Sequence, residues 1–287
     1  YIKLLDQFKP DLGYYYGGRT LDLLIGDEAH ARGIPVAAYL ANGNFSGTRW
    51  CRDVDLILTD SHATAKMYKE KDGIDVTPIG PFIDPTYVIA KERNPQNVLL
   101  VNPSLAKGAA IVIRLAMMLE EERPDIRFEV VQSRGNWEAL VRQVTKKFGR
   151  ERSSLSNVIL TPNTRDMRPI YGRAKVLLAL SLWWESYGRV AAEAAMNGIP
   201  VIATDRGGLK EASGQDAHLI TLPKIYYEPP YTKLPIDDDL KPIAQKLLEI
   251  YKNAAYNQTT SKHHGSKLPH SIGKSLQRLN QAIHKIA

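Results

Sequence analysis

The sequence predicts an α/β protein built on two parallel sheets. Short β-rich runs alternate with stretches of helical spacing along most of the chain. That pitch is typical of strand–helix–strand units whose sheets are covered on both faces. Proline-containing segments at 80–86 and 92–96 interrupt the alternation and predict a domain boundary near residues 83–96. With 287 residues, 44% apolar and 24% charged, the chain is long enough for two domains, each with its own core.

Taken in order, strands are expected at 11–16, 34–40, 55–60 and 76–79 before the boundary, and at 97–102, 127–132, 157–160, 176–181 and 199–204 after it. Helices are expected at 19–32, at 109–122 (ended by Pro124), at 137–148 and at 167–173. The opening Tyr1-Ile-Lys-Leu-Leu-Asp-Gln-Phe8 reads as the middle of a helix, so an amino-terminal truncation or processing is expected. After the last strand, 223–235 is a loop rich in proline and tyrosine, followed by an amphipathic helix at 237–253. A polar linker at 257–267 precedes a basic amphipathic helix at 271–286. The domains expected are thus 1–90, 91–267 and a terminal helical segment, 268–287.

The net charge of +7 favours anionic partners. The local basic cluster at 146–152 comes without zinc spacing, an aromatic RNA-binding signature or a basic zipper pattern, so nucleic acid is not expected. A single cysteine, Cys51, excludes an intrachain disulfide and fits a reducing compartment. No apolar run approaches the ~20 residues that span a bilayer, and no signal-peptide pattern opens the chain. A cytoplasmic protein is expected. His263-His264 lacks the two-ligand spacing of a helical zinc site and no glutamate accompanies it, so no metal is expected.

Chemistry concentrates at 183–195, WWESYGRVAAEAA, where the apolar run 176–181 gives way to an alanine-rich helix. In open parallel sheets, ligands bind beyond the carboxyl ends of the strands. The amides of Tyr187, Gly188, Arg189 and Val190 form the first turn of that helix, whose dipole favours phosphate. Glu185 lies before the helix and Glu193 in its second turn, roughly 10 Å along the axis at ~1.5 Å per residue. Carboxylates repel phosphate, so each is better suited to hydroxyls on either side of a pyrophosphate. The spacing alone favours a plainer reading, in which Glu185 caps the helix and Glu193 forms a surface ion pair. Trp183 and Trp184 fit a sugar subsite or a buried position under the sheet.

From Glu185 through Glu193 and Gly-Ile-Pro-Val201 to Gly207-Gly208-Leu-Lys-Glu211, the chain closely resembles the signature of the family 4 glycosyltransferases. The resemblance extends more weakly from about residue 9 to the end. It implies a GT-B fold of two Rossmann-like domains, the N-terminal one incomplete. It implies transfer of a sugar from a nucleotide-sugar with retention of anomeric configuration, without a metal or other cofactor. On this resemblance Glu185 receives the donor sugar's hydroxyls and Glu193 the ribose. The backbone at Tyr187, Gly188, Arg189 and Val190, with the Gly207-Gly208 loop, binds the rest of the donor. Asn102-Pro-Ser-Leu-Ala-Lys-Gly108 matches the loop that neutralises the leaving diphosphate. Lys107 stands at the lysine position, while Pro103 stands where the family has arginine. Arg189 is expected to supply the absent charge. Arg165, after the strand at 157–160, resembles a residue flanking the nucleobase.

In the first domain the resemblance weakens. By the usual domain size, the resemblance implies that roughly 80–100 residues of a full Rossmann-like half are missing. Tyr16, Gly17 and Asn42 stand in regions where the family often carries histidine, and are candidates for the side of the acceptor hydroxyl. Asn42-Gly43 also reads as a structural turn. The incomplete half predicts pairing with a second copy or another chain through exposed strand edges. The other reading of the chain is a non-catalytic nucleotide-sugar-binding fragment or subunit that needs such a partner. The basic final helix is expected either to touch an anionic membrane surface or, as in the family, to pack back across the domains. Sugar, base and acceptor are not specified.

Overall fold

The computed structural model describes residues 1–253 and 271–286, apart from Arg134 and Asp216. The expected linker at 257–267, with His263, His264 and His270, lies outside the described residues. The chain divides into two compact units. The first comprises Tyr1–Phe82, Trp184–Tyr187 and Pro269–Ala287, and the second Ile83–Trp183 and Gly188–Leu268.

The first unit runs α1 (Ile2–Phe8), β1 (Gly13–Tyr16), α2 (Leu23–His30), β2 (Val36–Leu40), β3 (Leu56–Thr59), α3 (His62–Asp72) and β4 (Thr77–Pro78). Its strands form one parallel sheet in the order β1-β2-β3-β4, with Gly13 opposite Val36 and Leu40 opposite Thr59. The inner strands β2 and β3 are almost wholly buried, as covered parallel strands must be, while β1 at the edge alternates between half-buried and exposed positions. Ala38, Leu40 and Ile57 pack with Trp50, Tyr68 and Ile74, whereas Ala37, Leu56 and Leu58 serve a separate cluster.

Helix α3 is absent from the expected elements because His62-Ala-Thr-Ala-Lys-Met-Tyr-Lys-Glu-Lys-Asp72 carries little apolar periodicity. Its ends are nevertheless marked in the sequence. Ser61 Oγ accepts from the Thr64 amide at 3.0 Å, and Gly73 closes the helix at φ +71°.

The second unit runs β5 (Asn97–Val101), α4 (Ala109–Leu119), β6 (Phe128–Val131), α5 (Trp137–Lys147), β7 (Val158–Thr161), α6 (Arg168–Arg173), β8 (Ala174–Ala179), α7 (Arg189–Met196), β9 (Val201–Thr204), α8 (Leu209–Ser213), β10 (His218–Ile220) and α9 (Asp237–Lys252). The sheet is parallel throughout, in the order β10-β9-β8-β5-β6-β7. Its core joins Val98, Leu100, Phe128, Val176 and Leu178 to the apolar side of α4 and to the Leu240, Ile243, Leu247, Ile250 stripe of α9. Strand β8 starts two residues before the expected 176, because the chain accommodates Lys175 by laying its ammonium over the Tyr251 ring, 4.4 Å from the centroid. Two elements, α8 and β10, are too short to show a period and were not expected.

The division between the units falls at Phe82/Ile83, ahead of the expected residue 90. Asn197 explains the difference. Its side chain accepts from the Ala90 amide at 2.8 Å and donates to the Val88 carbonyl at 3.0 Å, while Arg93 donates to the carbonyls of Asn197 and Ala174. These bonds hold 88–93 to the second unit.

The terminal helix α10 (Ile272–Ile283) belongs to the first unit. Leu279, Ala282 and Ile283 pack with Ala37, Leu58 and Ile79, and Ser275 Oγ donates to the Pro81 carbonyl at 2.7 Å. Its apolar face is therefore used against the sheet, which leaves charge rather than insertion as a basis for the expected membrane contact. No helix among the described residues is long and apolar enough to cross a membrane.

Candidate functional site

The chain winds outward from β5 through β6 to β7, then returns to place β8 on the other side of β5. The loops leaving β5 and β8 therefore diverge, which opens a crevice beyond their carboxyl ends.

The loop after β5 begins at Asn102, in the left-handed region at φ +57°. Ser104 Oγ then accepts from the Lys107 amide at 3.2 Å and sets one tight helical turn, Leu105–Lys107. Gly108 follows at φ +76°, where a Cβ would lie 2.2 Å from the Leu180 carbonyl oxygen. Only glycine lets the loop pass this close to the chain leaving β8. The two loops are tied directly, since the Ala106 carbonyl accepts from the amides of Leu182 and Trp183 at 2.8 and 3.3 Å. Lys107 Nζ lies over the Trp183 ring, 4.9 Å from its centroid. This tryptophan thus positions a cation.

Helix α7 starts at Arg189, with Gly188 at its N-cap at φ +101°. A Cβ on Gly188 would sit 2.5 Å from Leu209 Cδ2. Leu209 opens α8, directly after the Gly207-Gly208 turn that leaves β9. Gly188, Gly207 and Gly208 therefore gather at the carboxyl ends of adjacent strands. The first amides of α7 have no intrahelical acceptor and form the positive end of its dipole.

Glu193 is 6% exposed. Its Oε2 accepts from the Tyr171 hydroxyl at 2.6 Å and its Oε1 from Arg189 Nε at 2.6 Å. The sequence assigns Arg189 and Glu193 to different parts of a ligand, whereas the structure pairs them. Four residues apart on one helix, they are within natural reach of each other. Tyr171 carries no signal in the sequence, because its partner lies on the far side of β8. Arg165 is exposed in the loop after β7. That strand lies two beyond β5, about 10 Å away at ~4.8 Å per strand, at the same end of the sheet.

Trp184–Tyr187 belong to the first unit. Within it Glu185 is 8% exposed and Tyr187 is buried. Ser186 and Trp184 meet the ends of β2 and β3. Ser186 Oγ donates to the Ala41 carbonyl at 2.7 Å, and Trp184 Nε1 donates to Thr64 Oγ1 at 3.2 Å. The three candidates after β1 and β2 are brought together. Asn42 Nδ2 donates to the Tyr16 hydroxyl at 3.0 Å, and the Gly17 amide to the Tyr39 carbonyl at 3.3 Å. Asn42 Oδ1 also accepts from the Asn44 amide at 2.9 Å, so the residue holds the expected turn as well. Among the described residues, no group of three or more His, Cys, Asp or Glu side chains could hold a metal.

Comparison with known proteins converges on one class. Residues 96–226, the strands and loops of this crevice, match the family described as glycosyl transferases group 1. A D-inositol 3-phosphate glycosyltransferase of Pseudarthrobacter chlorophenolicus is 31% identical over 111 residues, 37% of this chain and 25% of that protein. The match thus spans about a quarter of that curated relative. Among solved structures, Anabaena HepE in complex with UDP-glucose superposes with a TM-score of 0.72 at 16% identity, over 99% of this chain and 82% of that one. A glycosyltransferase from Rickettsia africae gives 0.73 at 12% identity, over 99% and 79%. The architecture is that of the GT-B glycosyltransferases, with two parallel-sheet α/β units as the sequence predicts.

Proposed function

We propose that the protein moves a sugar from a nucleotide-sugar donor to an acceptor hydroxyl, with retention of anomeric configuration and without a metal or other cofactor. The observation that carries this reading is the tied pair of loops at the switch point. They set the Lys107 ammonium and the open start of α7 at the carboxyl ends of adjacent strands. Charge developing on a leaving diphosphate meets both, preorganised before reaction. Arg165 and the Gly207-Gly208 turn lie at the same sheet end and complete the donor side. Glu185 receives the sugar hydroxyls, and Tyr16, Gly17 and Asn42 serve the side of the acceptor hydroxyl.

Ribose reaches Glu193 by exchanging with Arg189 for Oε1. The Arg189 side chain is 66% exposed and can turn away. Once released, its guanidinium is available to the diphosphate, in the place where Pro103 stands for the family's arginine. We place the protein in the cytoplasm, with any hold on an anionic membrane resting on exposed charges such as Lys274 and Lys285. Edge strand β1, with Tyr14 and Tyr16 exposed, is the surface for a second copy or partner chain.

Thermal unfolding with a panel of nucleoside diphosphates and nucleotide-sugars tests the reading. A true donor at 100 times its Kd stabilises by about 2.7 kcal/mol, and the best binder is then assayed for transfer and hydrolysis. Glu185→Ala is expected to abolish turnover while keeping diphosphate stabilisation. If no member of the panel stabilises the protein, the reading is wrong.

A further inference from the structure

Within the first unit, Glu185 lies between two residues that meet the same hydroxyl. Trp184 Nε1 donates to Thr64 Oγ1 at 3.2 Å, and Thr64 Oγ1 donates to the Ser186 carbonyl at 3.0 Å. Both directions are fixed by chemistry, because an indole N–H can only donate and a backbone carbonyl can only accept. Thr64 thus gives its single hydrogen to Ser186 and a lone pair to Trp184. Its side chain is wholly buried, in the first turn of α3.

Other groups at the start of α3 and at the ends of β2 and β3 hold the same segment. Ser61 Oγ, which caps α3, also donates to the Ser186 carbonyl. Tyr68, one turn beyond Thr64, donates its hydroxyl to the Asn42 carbonyl at 2.7 Å and so holds the turn after β2. Gly43 in that turn makes room for the indole. A Cβ there would lie 2.6 Å from Trp184 Cδ1 and 3.1 Å from Met67 Cε. The Ser186 hydroxyl donates to the Ala41 carbonyl at 2.7 Å and, at longer range, to Asp60 Oδ2 at 3.2 Å. The side chain before Glu185 and the main chain after it are therefore both set. Each neighbouring Cα is only ~3.8 Å from that of Glu185.

We propose that Thr64 is a positioning residue: its hydroxyl joins the residues on either side of Glu185 and fixes where that carboxylate stands, a role that rests on the reading of Glu185 as the group that receives the donor sugar. On that reading the diphosphate is met by Lys107 and the start of α7, which belong to the second unit. Loss of the Thr64 hydroxyl is then expected to act on the sugar and not on the diphosphate. Thr64 separates the two better than Ser61 does, since the Ser61 oxygen also caps a helix.

The test compares Thr64→Val and Thr64→Ser with the wild type and Glu185→Ala. Valine keeps the branched shape without the hydroxyl, and serine keeps the hydroxyl without the methyl group. The probes are the nucleotide-sugar of the thermal panel that stabilises the wild type most, beginning with UDP-glucose, and the corresponding nucleoside diphosphate. Thr64→Val should lose kcat on the order of 10²-fold through misplacement of Glu185, with diphosphate stabilisation unchanged. Thr64→Ser should recover most of that loss. The indole N–H resonance of Trp184, identified among the four tryptophans by its absence in Trp184→Phe, should move in Thr64→Val and keep its position in Thr64→Ser. The inference is overturned by wild-type kcat in Thr64→Val, by an equal loss in Thr64→Val and Thr64→Ser, by an unmoved Trp184 resonance in Thr64→Val, or by diphosphate stabilisation that falls along with kcat. Should Thr64→Val not fold, Thr64→Ala removes the same hydroxyl and decides in its place. Wild-type turnover in Glu185→Ala, or a panel without a binder, removes the functional reading and this inference with it. An inactive Glu185→Ala beside a fully active Thr64→Val removes the inference alone.

Discussion

Tyr171 on α6 donates its hydroxyl to Glu193 Oε2 on α7 across 2.6 Å, and both side chains are buried. Burial and the neighbouring Glu193 charge push the tyrosine's pKa far up, so it stays a donor at any working pH. Tyr171→Phe leaves a buried carboxylate oxygen without its donor, which should cost about 1–3 kcal/mol in urea denaturation. Nucleotide affinity should fall as well, because Glu193 is no longer held in place. Isothermal titration with the preferred nucleotide checks this.

At Gly188 the backbone and the packing make the same demand. With φ at +101° and Leu209 Cδ2 2.5 Å from the position of a Cβ, Gly188→Ala is strained on both counts. A loss of roughly 1–3 kcal/mol is expected from the backbone alone. The variant should also bind nucleoside diphosphate more weakly, since a methyl group would stand at the opening of α7. Thermal shifts with and without ligand separate the two effects.

Lys107→Met retains a long apolar stem beside Trp183 and removes the ammonium. The contact with the ring contributes about 0.5–1 kcal/mol to stability, so the fold should survive. Turnover should fall on the order of 10²-fold if the ammonium stabilises a leaving diphosphate. Steady-state kinetics at saturating donor would show the loss in kcat rather than in KM alone.

Acid stability should depend on Glu120. Two bonds from Arg152, at 2.6 and 2.7 Å, lead a set that also includes the amide and hydroxyl of Ser156, and hold this carboxyl down at about 2. A depressed carboxyl contributes stability above its unfolded pKa, ~4.3, and loses it as pH falls through the folded value. Between about pH 4 and 2 the wild type should therefore weaken more steeply than Glu120→Gln. Urea midpoints measured across that range give the comparison.

Much of the fold is legible along the chain because buried parallel strands must be continuous apolar runs. Every strand from β1 to β9 overlaps an expected run. Each miss has an identifiable cause. Helix α3 is polar on most of its surface, and its ends, Ser61 and Gly73, identify it better than its periodicity does. Strand β8 extends over Lys175, whose ammonium lies over the ring of Tyr251, remote in sequence. The boundary near 90 moves to Phe82/Ile83 because Asn197 reaches back to Val88 and Ala90 across more than 100 residues of sequence.

By itself the sequence determined the α/β class and the organisation in two parallel-sheet units. These follow from short-range patterns, namely apolar runs alternating with stretches of helical spacing and the proline-containing segments between them. Tertiary structure alone decided which residues share a charge or a proton. Glu193 is committed to Tyr171 and Arg189, Lys107 is set against Trp183, and Ser186 is shared between Asp60 and Ala41. Such pairings depend on the order in which strands lie in the sheet. One crossing between β5 and β8, or one segment from 184 to 187 lodged with the first unit, brings together residues that no sequence period connects.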